Sequence, residues 1–206
     1  QRGYITPQEF NLFANQAQLE IFEQYFYDLN QFTRVPGNNT VYSDADDMLE
    51  EKMQIFQENE VVIKNIPEKM YRVYRVELDG VKCDILRTED YNSVVQGGPL
   101  TKPSKKRPVA NIRNTNLLVN DGEEGVEANV FYFRKPVTVK WGYFVINDKA
   151  LHDSSALKTT NFELHPAEES ELVYRILAYA GISIKQPDLL QSAVSLEATK
   201  VQQEKA

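Results

Sequence analysis

The chain has 206 residues, 42% hydrophobic and 26% charged, with a formal net charge of −7. That is enough for one large domain or a domain with an insertion, in ordinary globular proportions. It contains no apolar run of about eighteen residues, so neither a membrane-spanning helix nor a membrane partner is expected. The acidic balance argues against a broad nucleic-acid-binding surface.

The first element is a helix. Thr6-Pro7-Gln8-Glu9 is a capping box with proline at the first helical position, and Ile5 before it can staple onto Phe10. Phe10, Phe13, Ala14, Ala17, Ile21, Tyr25, Leu29 and Phe32 then recur at spacings of three and four, giving one apolar stripe, with Gln16, Gln18, Glu20, Glu23, Gln24 and Asp28 off it. Phe22 and Phe26 widen the stripe beyond what one partner needs. They are either core or a face for another subunit.

Val35-Pro36-Gly37-Asn38-Asn39 reads as a stop and a turn. A second helix follows, capped by Ser43 or Asp44, with a thinner apolar face of Met48, Leu49, Ile55 and Phe56. Seven acidic residues and one lysine fall between Asp44 and Glu60, among them Asp46, Asp47, Glu50 and Glu51.

From Glu60 the period changes to two. Val61-Val62-Ile63 is a short strand that Ile66-Pro67 breaks, and Tyr71 to Leu78 is a second. Asp79-Gly80 signals a two-residue hairpin, with Val81 to Leu86 returning, and Thr88 to Val94 is a short helical turn. Residues 96–108 form a mobile loop with Gly97, Gly98, three prolines and the cations Lys102, Lys105, Lys106 and Arg107. Its prolines forbid the helix that a phosphate-binding glycine loop needs. Three further strands are expected at Pro108–Val119, Val126–Arg134 and Val137–Ile146, paired antiparallel through short connections.

Helix returns at the end. His165-Pro166 starts one, with Leu172, Val173, Ile176, Leu177 and Ala180 as its stripe and Gly181 as its stop, and Pro187 opens a last helix. The expected fold is therefore α+β. An N-terminal helical part (1–59) packs with a C-terminal helical part (161–206), the Phe10–Phe32 stripe meeting the Leu172–Ala180 stripe. An antiparallel β-rich block (60–160) is inserted between them.

Residues suited to catalysis do not converge. His152 lies in a polar loop, and His165 is placed to cap a helix. Neither has a second ligand at metal-binding spacing. Cys83, the only cysteine, has no disulfide partner in the chain and sits in a strand, away from any helix start that would activate it. It fits a reducing compartment or a particle assembled in a cytoplasm. The acidic run Asp44-Ala45-Asp46-Asp47 lacks the glycine and distal glutamate of a calcium loop. No enzyme, cofactor or metal is expected. No acid lies between Tyr91 and Asn120, where Lys102, Lys105, Lys106, Arg107 and Arg113 fall, so two oppositely charged segments are available for self-complementary assembly. The competing reading is a monomeric nucleic-acid or protein-binding module that uses the basic stretch 102–113.

Gln1 to Phe22 ("QRGYITPQEFNLFANQAQLEIF") and Phe162-Glu163-Leu164-His165-Pro166, with Glu171-Leu172-Val173 and Ala178-Tyr179-Ala180-Gly181-Ile182, resemble virion structural proteins of tailed bacteriophages, of the crAss-like and related short-tailed, Bacteroidetes-infecting kind. In such proteins a short helix usually precedes this opening. The chain begins with Gln rather than Met, consistent with its absence. The resemblance covers about a quarter of the chain, at its ends. It implies a head-to-tail connector: a ring or adaptor subunit below the portal, in a twelve-fold homo-oligomer, assembled in the host cytoplasm and resident in the virion. Portal and tail proteins are its expected partners, with genomic DNA passing through the lumen unread. The expected subunit contacts are Phe22 and Phe26, and the acids Asp46, Asp47, Glu50 and Glu51 of one copy against Lys102, Lys105, Lys106 and Arg107 of the next.

Overall fold

A computed structural model describes residues 4–34, 40–62, 65–114, 116–122, 126–147, 149–153, 159–184 and 187–204. The chain divides into two compact units, one built from residues 1–55 and 136–206, the other from Phe56–Lys135. The fold is an α+β mixture with helices at both ends and sheets between them.

In the first unit, α1 (Pro7–Arg34) starts on the expected capping box. Thr6 Oγ1 accepts from the Glu9 amide at 3.2 Å, and Glu9 Oε2 accepts from the Thr6 amide at 2.8 Å. Ala14, Ala17, Ile21 and Tyr25 are buried as the stripe requires, while the Phe32 side chain lies outside the described residues. α2 (Thr40–Gln54) begins before Ser43, so neither Ser43 nor Asp44 caps it; no breaker separates Thr40 from them. His165 caps a 3-10 turn (Pro166–Glu168), its Nδ1 accepting from the Ala167 amide at 3.2 Å. The chain runs on into α4 (Glu169–Ile184), numbered after a short helix of the second unit given below. α4 continues through Gly181, which is buried; helix packing outweighs the roughly 1 kcal/mol that glycine costs there. α5 (Pro187–Glu204) opens on proline as expected. α1 packs on α4, with Phe13 stacked on Tyr179 at 6.0 Å.

Residues 136–142 are extended, but no strand pairs with most of them. They lie along α1, held by side-chain amides. Asn15 Oδ1 accepts from the Val139 amide at 2.7 Å while Asn15 Nδ2 donates to the Val139 carbonyl at 2.8 Å. Asn11 makes the same two-point contact with Trp141, at 2.6 and 3.4 Å. Gln18 Nε2 donates to the Val137 carbonyl at 2.9 Å. Residues four and three apart on a helix advance about 6 and 4.5 Å, and alternate residues of an extended chain about 6.6 Å, close enough for amide side chains at 11, 15 and 18 to meet backbone at 141, 139 and 137. Gln18, read as off the stripe, is therefore buried at 2% exposure. Regular pairing begins only at β8 (Tyr143–Ile146), which turns at Asn147 (φ 50°) into β9 (Lys149–His152). The expected single strand Val137–Ile146 is thus half helix-bound segment and half hairpin. The β-rich unit closes at Lys135 rather than at 160.

An ion network ties the same helices together. Lys52 of α2 lies 2.5 Å from Glu168, and Lys200 of α5 lies 3.4 Å from Glu168 and 3.6 Å from Glu171. Arg175 of α4 lies 2.6 Å from Glu171, 3.3 Å from Glu20 of α1 and 3.3 Å from Glu197 of α5. The Tyr179 hydroxyl donates to Glu20. Buried pairs of this kind specify an arrangement more than they stabilise it.

The second unit has two sheets over one core. The four-stranded sheet is ordered β1 (Gln57–Val62), β7 (Ala128–Arg134), β2 (Met70–Leu78), β3 (Val81–Lys82). The three-stranded sheet is ordered β4 (Asp84–Ile85), β5 (Val109–Arg113), β6 (Asn116–Asn120). Val62, Val76, Leu78, Val130 and Tyr132 from the first meet Ala110, Leu117 and Val119 from the second, with Cys83 among them. Asp79 (φ 49°) and Gly80 (φ 81°) make the expected hairpin turn. The expected strand Val81–Leu86 is split: it leaves the hairpin after Lys82, and β4 joins the other sheet. There β4 pairs parallel with β5, because α3 (Thr88–Gln96) and the basic segment after it are long enough for a crossover. Pro108–Val119 is likewise two strands, folded at Asn114 (φ 52°). Ile63 and residues 35–39 lie outside the described residues.

Two measurements test this account. Asn15→Ala leaves the Val139 backbone groups without their partner, so it is expected to destabilise the fold by about 1–3 kcal/mol in urea unfolding. The pH profile follows from Glu20 and Tyr179. Burial alone would raise the Glu20 carboxyl, but hydrogen bonds from Gln16 and Tyr179 and the Arg175 charge outweigh it and hold it below its ordinary value of 4.5. That contribution is in place above about pH 4.5 and is lost as pH falls through the folded-state value. Burial, then the bond to Glu20, pushes Tyr179 up from 10.0 to about 12, so its contribution is present below pH 10 and lost between pH 10 and 12. The urea midpoint should fall on both sides of a plateau, and Glu20→Gln should flatten both flanks.

Candidate functional site

Each expected contact residue has a definite place. On α2, Leu49 and Met53 are buried while Asp47, Glu50 and Glu51 are exposed, so the helix puts its acids on the face opposite its apolar stripe. The Asp46 side chain lies outside the described residues. None of Asp47, Glu50 and Glu51 has an ion pair among the described residues.

The basic segment has turns of its own. Gly98 O accepts from the amides of Thr101 and Lys102 at 2.9 and 3.1 Å, and Ser104 and Arg107 exchange backbone bonds at 3.3 and 2.8 Å. Lys105 and Lys106 occupy the tip of that turn, exposed like Lys102 and Arg107. Arg107 lies 3.6 Å from Asp84, and both are largely exposed, so the pair contributes little. The acidic face belongs to the first unit and the basic turn to the second.

Phe22 and Phe26 do not form a subunit face. They are 1% and 6% exposed within the single chain, edge to face at 5.1 Å. α1 is buried across two adjoining stripes, not one, and the aromatics that looked surplus belong to the second.

Exposed apolar side chains occur on several elements, among them Leu12 and Tyr27 of α1, Val173 and Leu177 of α4 (both expected in its buried stripe), Val194 and Leu196 of α5, and the β8–β9 hairpin. Phe144 pairs with Leu151 and Ile146 with Lys149 across the strands, and Phe144, Val145, Ile146 and Leu151 are all exposed, Val145 at 60%. An isolated two-stranded hairpin is marginal in water. This one is rooted by Trp141, which stacks on His152 at 6.2 Å and Tyr143 at 6.1 Å and meets Phe10 of α1 edge-on at 5.9 Å. The available signal was Asn147-Asp148, a turn pair between two apolar runs.

The groups with reactive potential are held in structural roles. His165 caps its turn, and His152 lies on Trp141. Among the described residues no cluster of His, Cys, Asp or Glu could hold a metal ion, and no helix is long and apolar enough to cross a membrane. Cys83 is 1% exposed, and burial, reinforced by the neighbouring Asp84 and Glu77 carboxylates, pushes its thiol up to about 11. A thiol reagent at pH 7.5 is therefore expected to modify Cys83 only as fast as the second unit opens. The rate should rise steeply across the urea transition; rapid modification of the native chain would contradict this burial.

The chain matches no family model and no curated protein.

Proposed function

We propose that this chain is a structural subunit of a tailed-phage virion: a ring or adaptor protein below the portal that links head to tail and lines the DNA channel as a twelve-fold homo-oligomer. The supporting observation is the β8–β9 hairpin, an apolar element displayed to solvent on a base braced by aromatic stacking and the α1 amides. Contiguous exposed apolar surface on a braced element suits burial by a protein neighbour. Opposite charges on different parts of one chain suit a head-to-tail interface, which closes into a ring when its rotation permits. A net charge of −7 lets DNA pass such a lumen without the phosphate neutralisation that tight binding needs. The resemblance of both chain ends to phage virion proteins agrees with this reading.

Light scattering and electron microscopy of the chain, alone and with the phage's portal protein, test it. Rings are expected. Phe144→Asp with Leu151→Asp should leave the helical circular dichroism unchanged and weaken association at least about tenfold, since only the exposed 40% and 45% of these side chains is left to bury and full burial contributes about 1.5–3 kcal/mol each. A monomer that persists with portal present, or a single copy in intact particles, would end the proposal.

A further inference from the structure

Arg113 ends β5 on the wall of a cleft of about 270 Å³ that it shares with Tyr91, Asn92, Val95, Gln96 and Leu118. Its guanidinium is held from three sides. Nε donates to Asn111 Oδ1 at 2.8 Å, Nη2 donates to Asn92 Oδ1 at 2.7 Å, and the Tyr91 ring centroid lies 5.9 Å from the guanidinium carbon. Asn111 is 1% exposed, and its Nδ2 is bound to the Leu86 carbonyl at 2.8 Å, which fixes its oxygen toward the arginine. All three neighbours are neutral, and among the described residues no carboxylate pairs with Arg113. A guanidinium has five N–H donors. Two are used here to orient it, and three, one on Nη2 and both on Nη1, are left for a ligand.

We propose that this cleft receives a single carboxylate side chain, presented by the acidic face of α2 in a second copy of the chain. A planar fork pre-oriented by neutral acceptors is the arrangement that takes a carboxylate by two parallel hydrogen bonds. The apolar walls supplied by Val95 and Leu118 suit the stem of a Glu or Asp. A polyanion fits less well, because Glu89 and Asp90 stand on the same helix as Tyr91. The second copy offers Asp47, Glu50 and Glu51, exposed on one face of α2. The choice of occupant rests on the assembly reading above; the chemistry of the cleft does not.

The test has two arms. In the first, the ¹⁵N-labelled chain is titrated with glutarate, and the Arg113 Nε–H and the amides of residues 91–96 are followed by NMR. Saturable shifts that Arg113→Gln abolishes are expected. No saturable shift, or tighter binding of inorganic phosphate or a short oligodeoxynucleotide than of glutarate, overturns the carboxylate site. In the second arm, sedimentation velocity compares R113Q, E50K/E51K and the combination R113E/E50K/E51K with the unaltered chain. Each of the first two should weaken association roughly tenfold or more, and the reversed pair should recover most of it. Association unchanged by R113Q while glutarate still binds overturns the second copy as occupant. An unaltered chain that never associates overturns both the assembly reading and that occupant, and the glutarate arm still decides the cleft.

Discussion

Three side-chain amides on one helix organise the first unit. Asn11, Asn15 and Gln18 give α1 the hydrogen-bonding habit of a β-strand, so a chain segment that would otherwise carry unpaired backbone polar groups lies against a helix. Buried N–H and C=O groups must find partners, and here side chains supply them where a neighbouring strand normally would. The placement of Trp141 follows, and with it the root of the β8–β9 hairpin. Glu163 closes the arrangement from the other side: its carboxylate accepts from the Val137 amide at 2.8 Å, and its own amide donates to Gln18 Oε1 at 3.3 Å.

Charge is used differently in the two units. In the first, ionised groups turn inward: Glu168 and Glu171 are nearly inaccessible and compensated by Lys52, Lys200 and Arg175, which come from three helices. Such a network tolerates one arrangement of α1, α2, α4 and α5, because moving any helix strands a buried charge. In the second unit Glu58 pairs with Lys69 and Arg134 at 3.0 Å each, Lys105 and Lys106 stand outward on a turn, and Arg113, fixed by neutral groups, faces a cleft. The first unit thus keeps its shape electrostatically while Asp47, Glu50 and Glu51 of α2 have no ion pair among the described residues.

How far the fold could be read from residues depended on how local each cause was. Thr6 with Glu9, His165 with Pro166, and Asp79 with Gly80 act within four residues, and each did what its type dictates. Asn114 and Asn147 perform the same left-handed turn as Asp79, but without a following glycine the signal is weaker, so the β5–β6 hairpin read as a single strand and β9 read as a loop. The alternation from Val137 onward reported extended backbone correctly but said nothing of its partner, because a strand's period is the same whether a strand or a row of amides lies beside it. Phe22 and Phe26 misled for a related reason: periodicity counts how wide an apolar face is, not how many neighbours cover it. The Arg113 cleft left no pattern, since Tyr91, Asn92 and Asn111 are brought to it by a parallel crossover.

The pairing of β1 with β7 has a consequence for chain architecture. Gln57 stands opposite Phe133, and the Arg134 amide donates to the Phe56 carbonyl at 2.8 Å, so the second unit begins and ends about one interstrand spacing apart. To the helical unit, this whole two-sheet body is topologically a short loop whose closure entropy does not grow with the length of the chain inside it. A few-residue linker would span the same gap, so replacing the second unit by one is expected to impose no greater chain-closure cost on the helical unit.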